Sequence, residues 1–460
     1  MGTFLERVWS ELGESPDHLV LVPTPERPVP LSSKLGVATM AQQSVDAASL
    51  AAAVLSAERE QGSRPDSGTV AAITTSPERI AASYSSDQLF TIDGEAPAIW
   101  AELSGFWRTS DGWIRTHANY PHHRERLLRA LGLGDDATPE QFGAALGKRT
   151  GATAERLIAD AEGVAAVMRP ESDGIADRLS GEPVLAVRDL GEAPAREWST
   201  PSSAALPLEG VRVLDLTRVI AGPVATRNLA LLGADVLRID SPLLPELEWQ
   251  HLDTGQGKRS TRVNLWTPEG QTLLHELLST ADVVVLGYRP GAMDALRLVP
   301  EQLAESHPGL IVARLTAWGT LPAGNGRRGF DSIVQSASGI ALRESPDGET
   351  PGALPVQALD HSTGYLLAAG IISLLGRQRR SGGSWLVETS LLRLAGELLR
   401  LPAVPGADPI DLLPYTVAHP TKAGLLRYPV PALSFQGSPD DYLAPPRPLG
   451  VDAARWLPRR

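Results

Sequence analysis

The sequence predicts an α/β protein: a large domain on a parallel sheet and, before it, a partial internal duplication. Three observations carry this. From residue 211 onward short apolar runs alternate with helix-length amphipathic segments, the pattern of βαβ units. A Pro/Ser-rich stretch, "GEAPAREWSTPSSAALPLEG" at 191–210, separates that block from what precedes it. Finally, one offset of 314 residues relates Asp46 to Asp360 and Ser76 to Ser390 within similar surroundings.

Taken in order, "DAASLAAAVLSAERE" (46–60) reads as a helix, with Asp46 as its cap, and "GTVAAIT" (68–74) as a short strand. A helix follows near 77–92. "FWRTSDGWIRTHANYPHHRERLLRALGL" (106–133) reads as a hairpin turning on Ser110, Asp111 and Gly112 and running into a helix. Then come strand "VRVLDLT" (211–217), helix "ATRNLALLGA" (225–234), strand "DVLRID" (235–240), "STRVNL" (260–265), helix "TPEGQTLLHELLSTA" (267–281), strand "DVVVLGY" (282–288), helix "PEQLAESHP" (300–308) and strand "LIVARLTAW" (310–318). "HSTGYLLAAGIISLL" (361–375) is a small-residue helix with Asp360 at its start. The expected division is 1–205, a half-copy holding a small-domain-like segment at about 86–190; 206–400, the large α/β domain; and 401–460, a Pro-rich extension.

Composition excludes several functions. The chain has 460 residues, 42% hydrophobic and 21% charged, with a net charge of −12. Such a balance gives no basic footprint for nucleic acid or an anionic membrane. No apolar run of the roughly 18 residues a membrane span needs is evident, and the acidic start "MGTFLERVWSELGE" is unlike a secretion signal, so a cytosolic protein is expected. Without cysteine, any covalent chemistry must use oxygen or nitrogen. His117, His122 and His123 lack the spacing of a helical metal-binding pair, and no metal site is expected there.

Asp360 has two readings. Aspartate is a favoured N-cap, and this one stands before "HSTGYLLAAG". It could also be a nucleophile, and here a resemblance weighs in. The stretches "LPLEGVRVLDLTRVIAGPVATRNLALLGADVLRID", "GKRSTRVNLWTPEGQTLLHELLSTADVVV", "YRPGAMDALRL", "FDSIVQSASGI" and "LDHSTGYLLAAGIISLLGRQRRSGG" resemble, in order, the family III CoA-transferases. The resemblance implies a Rossmann-like CoA-binding domain, a smaller α/β domain and an interlocked homodimer. Coenzyme A is implied as substrate and product, and acyl-CoA and a carboxylic acid acceptor as partners. It places the nucleophile on Asp360, which would attack a thioester to give an aspartyl anhydride and then an aspartyl-CoA thioester. A carboxylate with its ordinary pKa of about 3.9 needs no general base at neutral pH. Oxyanion donors are expected from backbone N–H groups at the helix start, and Gly364 is expected to leave room for the thioester. The resemblance places CoA near Ile220 and Ala221, Lys258 and Arg259, Asn264, Gly287, Tyr288 and Arg289, and Arg328.

The chain departs from the pattern at Ser241 and Ala295, where relatives carry basic residues, and at Gly287, where Asn is common. It also lacks the glycine flap that covers the aspartate in formyl-CoA transferase. The small domain is expected from the front of the chain, since only some 60 residues follow residue 400. Two alternatives remain beside the transferase. The α-methylacyl-CoA racemases share the fold, but Phe330 holds the place of their histidine, leaving His361 as a substitute. The other is a CoA-binding relative without turnover.

Overall fold

The computed structural model describes residues 2–244, 246–321, 326–404 and 408–459. The chain begins with α1 (Phe4–Glu11), started by a capping box of Thr3 and Glu6, and then forms α2 (Val37–Gln61), which ends at Gly62 in the left-handed region (φ 76°). Alanine and serine dominate α2, and it is buried along most of its length. Asp46 is the tenth residue of α2, so it caps nothing. Its carboxylate accepts hydrogen bonds from Thr75 Oγ1 (2.6 Å) and Gln42 Nε2 (3.0 Å).

The strand expected at 68–74 does not form. That segment holds a 3₁₀ turn at Ser67–Thr69 and a single bridge from Ile73 to Phe435. Residues 77–92 are α3 (Pro77–Tyr84), α4 (Ser86–Leu89) and β1 (Thr91–Ile92) rather than one helix.

The small-domain-like segment contains β2 (Gly105–Arg108) and β3 (Trp113–Thr116), α5 (Pro121–Leu131), α6 (Pro139–Gly147), α7 (Gly151–Asp160) and β4 (Ala165–Val167). The strands form an antiparallel sheet in the order β2-β3-β4, with a separate core of Leu103, Ile114, Leu127, Phe142 and Ile158.

The large sheet begins with β5 (Ala186–Gly191) and continues through β6 (Arg212–Leu216), α8 (Ala221–Leu231), β7 (Asp235–Asp240), α9 (Glu248–Thr254), β8 (Arg259–Arg262), α10 (Pro268–Leu278), β9 (Val283–Leu286), α11 (Pro300–Ser306) and β10 (Ile311–Thr316). After α12 (Asp331–Ser338) and the short α13 (Ile340–Arg343) come α14 (Ala358–Ser381), β11 (Ser384–Ser390) and α15 (Leu391–Arg400). Seven strands align as β5-β11-β10-β9-β6-β7-β8, parallel except for β5 at the edge. The inner strands are continuous apolar runs such as Val283–Leu286, as a sheet covered on both faces requires. Strand order reverses at β6, which lies between β9 and β7, and the carboxyl ends there open a crevice.

The last segment forms β12 (Thr416–Thr421) and β13 (Gly424–Pro429), which pairs with β1. It then runs along the large sheet, where Asp452 N–H donates to the Ser260 carbonyl. Helix α14 is long and apolar enough to cross a membrane, a property the run-length reading missed, but it is buried inside the protein against α2, α8 and the sheet.

Candidate active site

A cavity of about 350 Å³ lies at the point where strand order reverses. Its floor includes Asp360, the third residue of α14 and 6% exposed. Asp360 is not the cap expected from its position. The cap residue is Gln357, whose side chain makes no capping bond, and Asp331 at the start of α12 does the work from 29 residues away. Asp331 Oδ2 accepts the Asp360 N–H at 2.9 Å, and this carboxylate also accepts the Leu359 N–H. Gln335 Nε2 donates to Asp331 Oδ1 and so fixes its orientation.

Two carboxyl groups buried side by side cannot both ionise at their ordinary pKa. Burial, and then the charge of Asp331, raise the Asp360 pKa well above the usual carboxylate range. Asp331 itself rises to about 6, chiefly through burial, against its hydrogen bonds from Gln335 and the helix start. Asp360 is therefore not the ready-ionised carboxylate expected from sequence.

Of the residues assigned to CoA binding, Ala221, Gly287, Tyr288, Arg289 and Arg328 line the cavity with Asp360. Ile220 is the buried N-cap position of α8, between two lining residues, Val219 and Ala221. Val219 holds φ 72°, a conformation costly for a β-branched residue, at the point where the chain turns from β6 into α8. Asn264 lies just past β8 and serves a local turn, its carbonyl accepting from Thr267 and its side chain from Trp266 N–H; it is Trp266 that reaches the cavity.

Lys258 and Arg259 stand elsewhere. Lys258 is buried beneath α8, donating to Thr226 Oγ1 (2.8 Å), the Pro223 carbonyl (3.0 Å) and Asp215 Oδ2 (3.3 Å). Arg259 pairs with Asp235 at 2.6 Å, at the amino ends of β7 and β8, opposite the crevice. Both tie the sheet together. Gly364 packs rather than opens: a Cβ there would stand 2.7 Å from the Ala221 carbonyl oxygen. His361 is buried and stacked on Tyr84 at 5.0 Å, outside the cavity lining, so it does not replace the racemase histidine.

The residues that sequence reasoning missed come mostly from the small-domain segment. Tyr120, His122, His123 and Arg126 all line the cavity. His117 stacks face to face on Phe330 (3.8 Å, 4°), and His123 meets the same ring edge-on at 5.7 Å. Burial, with neighbouring cations second, lowers the pKa of His117 to about 3 and of His122 to about 4. Among the described residues no cluster of metal-ligating side chains occurs.

Arg126, Arg218, Arg289, Arg327 and Arg328 make the wall cationic, and Asp360 is the one acidic residue among the described lining residues. Arg218 pairs with Glu246 at 3.3 Å and Arg327 with Glu155 at 2.7 Å. Arg126 and Arg328 share a single half-exposed Glu162, at 3.3 and 3.4 Å, while Arg289 donates to the Gly326 carbonyl. This set has positive charge to offer a polyanion, beside a carboxyl group seated in low-dielectric surroundings.

A probable fatty acyl-CoA transferase of Mycobacterium tuberculosis is 35% identical over 208 residues, covering 42% of this chain and 52% of that protein. The human succinyl-CoA:glutarate CoA-transferase is 31% identical over 198 residues, covering 40% and 45%. The chain thus spans about half the length of the curated relatives it matches. A crystal structure of a Mycobacterium tuberculosis protein aligns over 43% of this chain and 57% of that one, at 35% identity and a TM-score of 0.39. The model of CoA-transferase family III matches residues 208–403, from just before β6 to just past α15.

Proposed function

We propose that this protein is an acyl-CoA:carboxylate CoA-transferase working through Asp360. The observation that carries the reading is Asp360 as the one acid among the described residues of a cavity walled by five arginines, at the carboxyl ends of a parallel sheet. The arginines suit the phosphates of CoA, and the apolar wall of Trp318, Phe330 and Leu391 suits the acyl end. Among the relatives, one is named for fatty acyl groups and another for succinyl and glutarate, so both a long apolar and a short dicarboxylic acid are candidate substrates.

In this mechanism the Asp360 carboxylate attacks the thioester carbon, a C–O bond forms, and the C–S bond breaks to release CoA thiolate and an acyl-aspartyl anhydride. The thiolate then attacks the aspartyl carbonyl, giving aspartyl-CoA and freeing the donor acid. The acceptor carboxylate reverses both steps and leaves as the new thioester. Because the reactive form is the carboxylate and the Asp360 pKa is raised, the rate of the first step rises with pH until Asp360 is ionised. The family resemblance supports a homodimer as part of the same reading.

The test is intact-mass spectrometry of the full chain after incubation with succinyl-CoA or octanoyl-CoA and hydroxylamine trapping, beside Asp360→Ala. An adduct on Asp360 that the variant lacks supports the transferase. No adduct with either donor, while CoA still binds in a calorimeter, overturns it in favour of a racemase or a binder without turnover.

A further inference from the structure

An acyl transfer of this kind needs a hydrogen-bond donor where the thioester oxygen becomes an oxyanion, and the obvious donors here are already engaged. At the helix start Ala358 N–H donates to the Val356 carbonyl, Leu359 and Asp360 N–H to Asp331, and His361 N–H to the Gln357 carbonyl. The expected backbone oxyanion hole on α14 is therefore absent. Other donors around the cavity are also engaged: Gly319 N–H with Thr316 Oγ1, Trp318 Nε1–H with the Arg328 carbonyl, and Tyr120 O–H with Glu246.

His123 differs. It lines the same cavity as Asp360, is 5% exposed, and its Nδ1 is buried with no hydrogen-bond partner. A buried N–H without an acceptor is the rarer and costlier arrangement, so the enclosed Nδ1 carries the lone pair and the proton sits on Nε2. Packing holds the ring against Phe330 (5.7 Å), His117 (5.8 Å) and His122 (4.2 Å). Phe330 immediately precedes Asp331, which holds the Asp360 backbone at 2.9 Å, so His123 and the nucleophile are fixed to one short rigid path. Burial, the neighbouring histidines and arginines keep the imidazole neutral, and neutrality suits a donor that gives up no proton.

We propose that His123 Nε2–H donates to the acyl carbonyl oxygen as Asp360 attacks, making a side chain from the small-domain segment the oxyanion donor of this site. The proposal rests on the transferase reading of Asp360. As the Asp360 oxygen bonds to the thioester carbon, the carbonyl π pair moves to oxygen and the His123 hydrogen bond strengthens. When the pair returns, the C–S bond breaks and its electrons leave on sulfur. No proton is transferred to or from the imidazole.

The test is the single-turnover rate of acyl-aspartyl formation in the full chain with succinyl-CoA and octanoyl-CoA, together with calorimetric CoA affinity. His123→Ala is expected to slow adduct formation by about 10²- to 10³-fold, the effect of deleting one oxyanion donor, with CoA affinity within about twofold of wild type. His123→Gln, which keeps an N–H donor, is expected to recover part of the rate. An adduct formed by His123→Ala at the wild-type rate overturns the proposal and leaves Asp360 as nucleophile. If wild type forms no adduct, the transferase reading falls and His123 with it. Should His123→Ala fail to bind CoA, His123→Gln is compared with His123→Leu, similar in bulk and different in the donor; equal rates in those two overturn the proposal.

Discussion

Asp360 shows what one residue's surroundings add to its local sequence. Its place at the start of a small-residue helix could be read from the chain, and the family resemblance singled it out. Its position in the third place of α14 and its raised pKa could not, because the helix start is held by Asp331, a residue remote in sequence, and the pKa is raised first by burial and then by the charge of Asp331. Lys258 makes the complementary point: the family resemblance put it beside CoA, but the packing of α8 shows that its ammonium faces Asp215 and Thr226 instead of a phosphate. A carboxyl group buried beside another is a stability cost. Asp360→Asn is therefore expected to stabilise the protein at pH 7.5, by roughly 1–3 kcal/mol, the scale of relieving a buried polar group without adequate partners. The sign follows from linkage: an acid whose folded pKa is raised disfavours folding only above its unfolded pKa of about 3.9. The gain in melting temperature over wild type should thus be small at pH 4 and grow toward pH 7.5. A gain independent of pH would mean that packing, not ionisation, is responsible.

Among the elements, two pairs of residues related by the 314-residue offset play the same part in the structure. Ser390 caps α15 by accepting the Arg393 N–H at 3.2 Å, and Ser76 caps α3 by accepting the Arg79 N–H at 3.3 Å, each pair related by the same offset. Helices α2 and α14, which carry the two aspartates, lie against each other in the core. Where the copies differ, the sheet explains it. Residues equivalent to β11 in the front copy have no counterpart of β10 to pair with, so they form a loop with one bridge instead of the strand their sequence suggests. Strands β6, β7, β9 and β10 fall on the apolar runs read from the sequence, since buried parallel strands announce themselves that way, whereas β5 and β11 were not predicted. Gly364 was misread because a small residue in a helix serves close packing as well as ligand access. A Cβ at 364 would stand 2.7 Å from the Ala221 carbonyl oxygen and 2.8 Å from Val224 Cβ, so α8 and α14 would have to separate. Gly364→Ala is expected to destabilise the fold by about 1–3 kcal/mol, as overpacking does, and to weaken CoA binding because Ala221 forms part of the cavity wall. Unchanged urea midpoint and CoA affinity would show that the two helices can part at no cost.

Over the whole molecule, an acidic chain brings five arginines together at one crevice. They come from residues 126, 218, 289 and 327–328, so no basic run in the sequence marks the site, and only the closure of the small-domain segment over the large sheet assembles it. The same burial sets the response to pH. Asp46, Asp253 and Asp331 are raised to about 6, Asp87 to about 7, and Asp360 well above the normal range, each mainly by burial. Against them, burial lowers His117, His251 and His361 to about 3, His122 to about 4 and His123 to about 2. Between about pH 4 and 6.5 the folded acids hold protons that the unfolded chain has lost, which makes stability fall as pH rises. In the same window the unfolded histidines hold protons that the folded ones lack, which makes stability rise with pH. The two sets are similar in size, so stability should be nearly flat there. Above about 6.5 the histidines are neutral in both states while Asp87 and Asp360 still hold protons only in the fold, and stability declines. Below about 4 the acids are protonated in both states while the histidines continue to favour unfolding; Glu246, held down to about 2 by Arg238 and Arg218 against its burial, adds to the loss. Melting temperatures measured from pH 3.5 to 8.5 at constant ionic strength should therefore form a plateau that falls away on both sides, with a shallower alkaline limb in Asp360→Asn. A melting temperature that climbs steadily from pH 6.5 to 8.5 would mean that these carboxyl groups ionise inside the fold without penalty, and the protonated form of Asp360 would have to be given up.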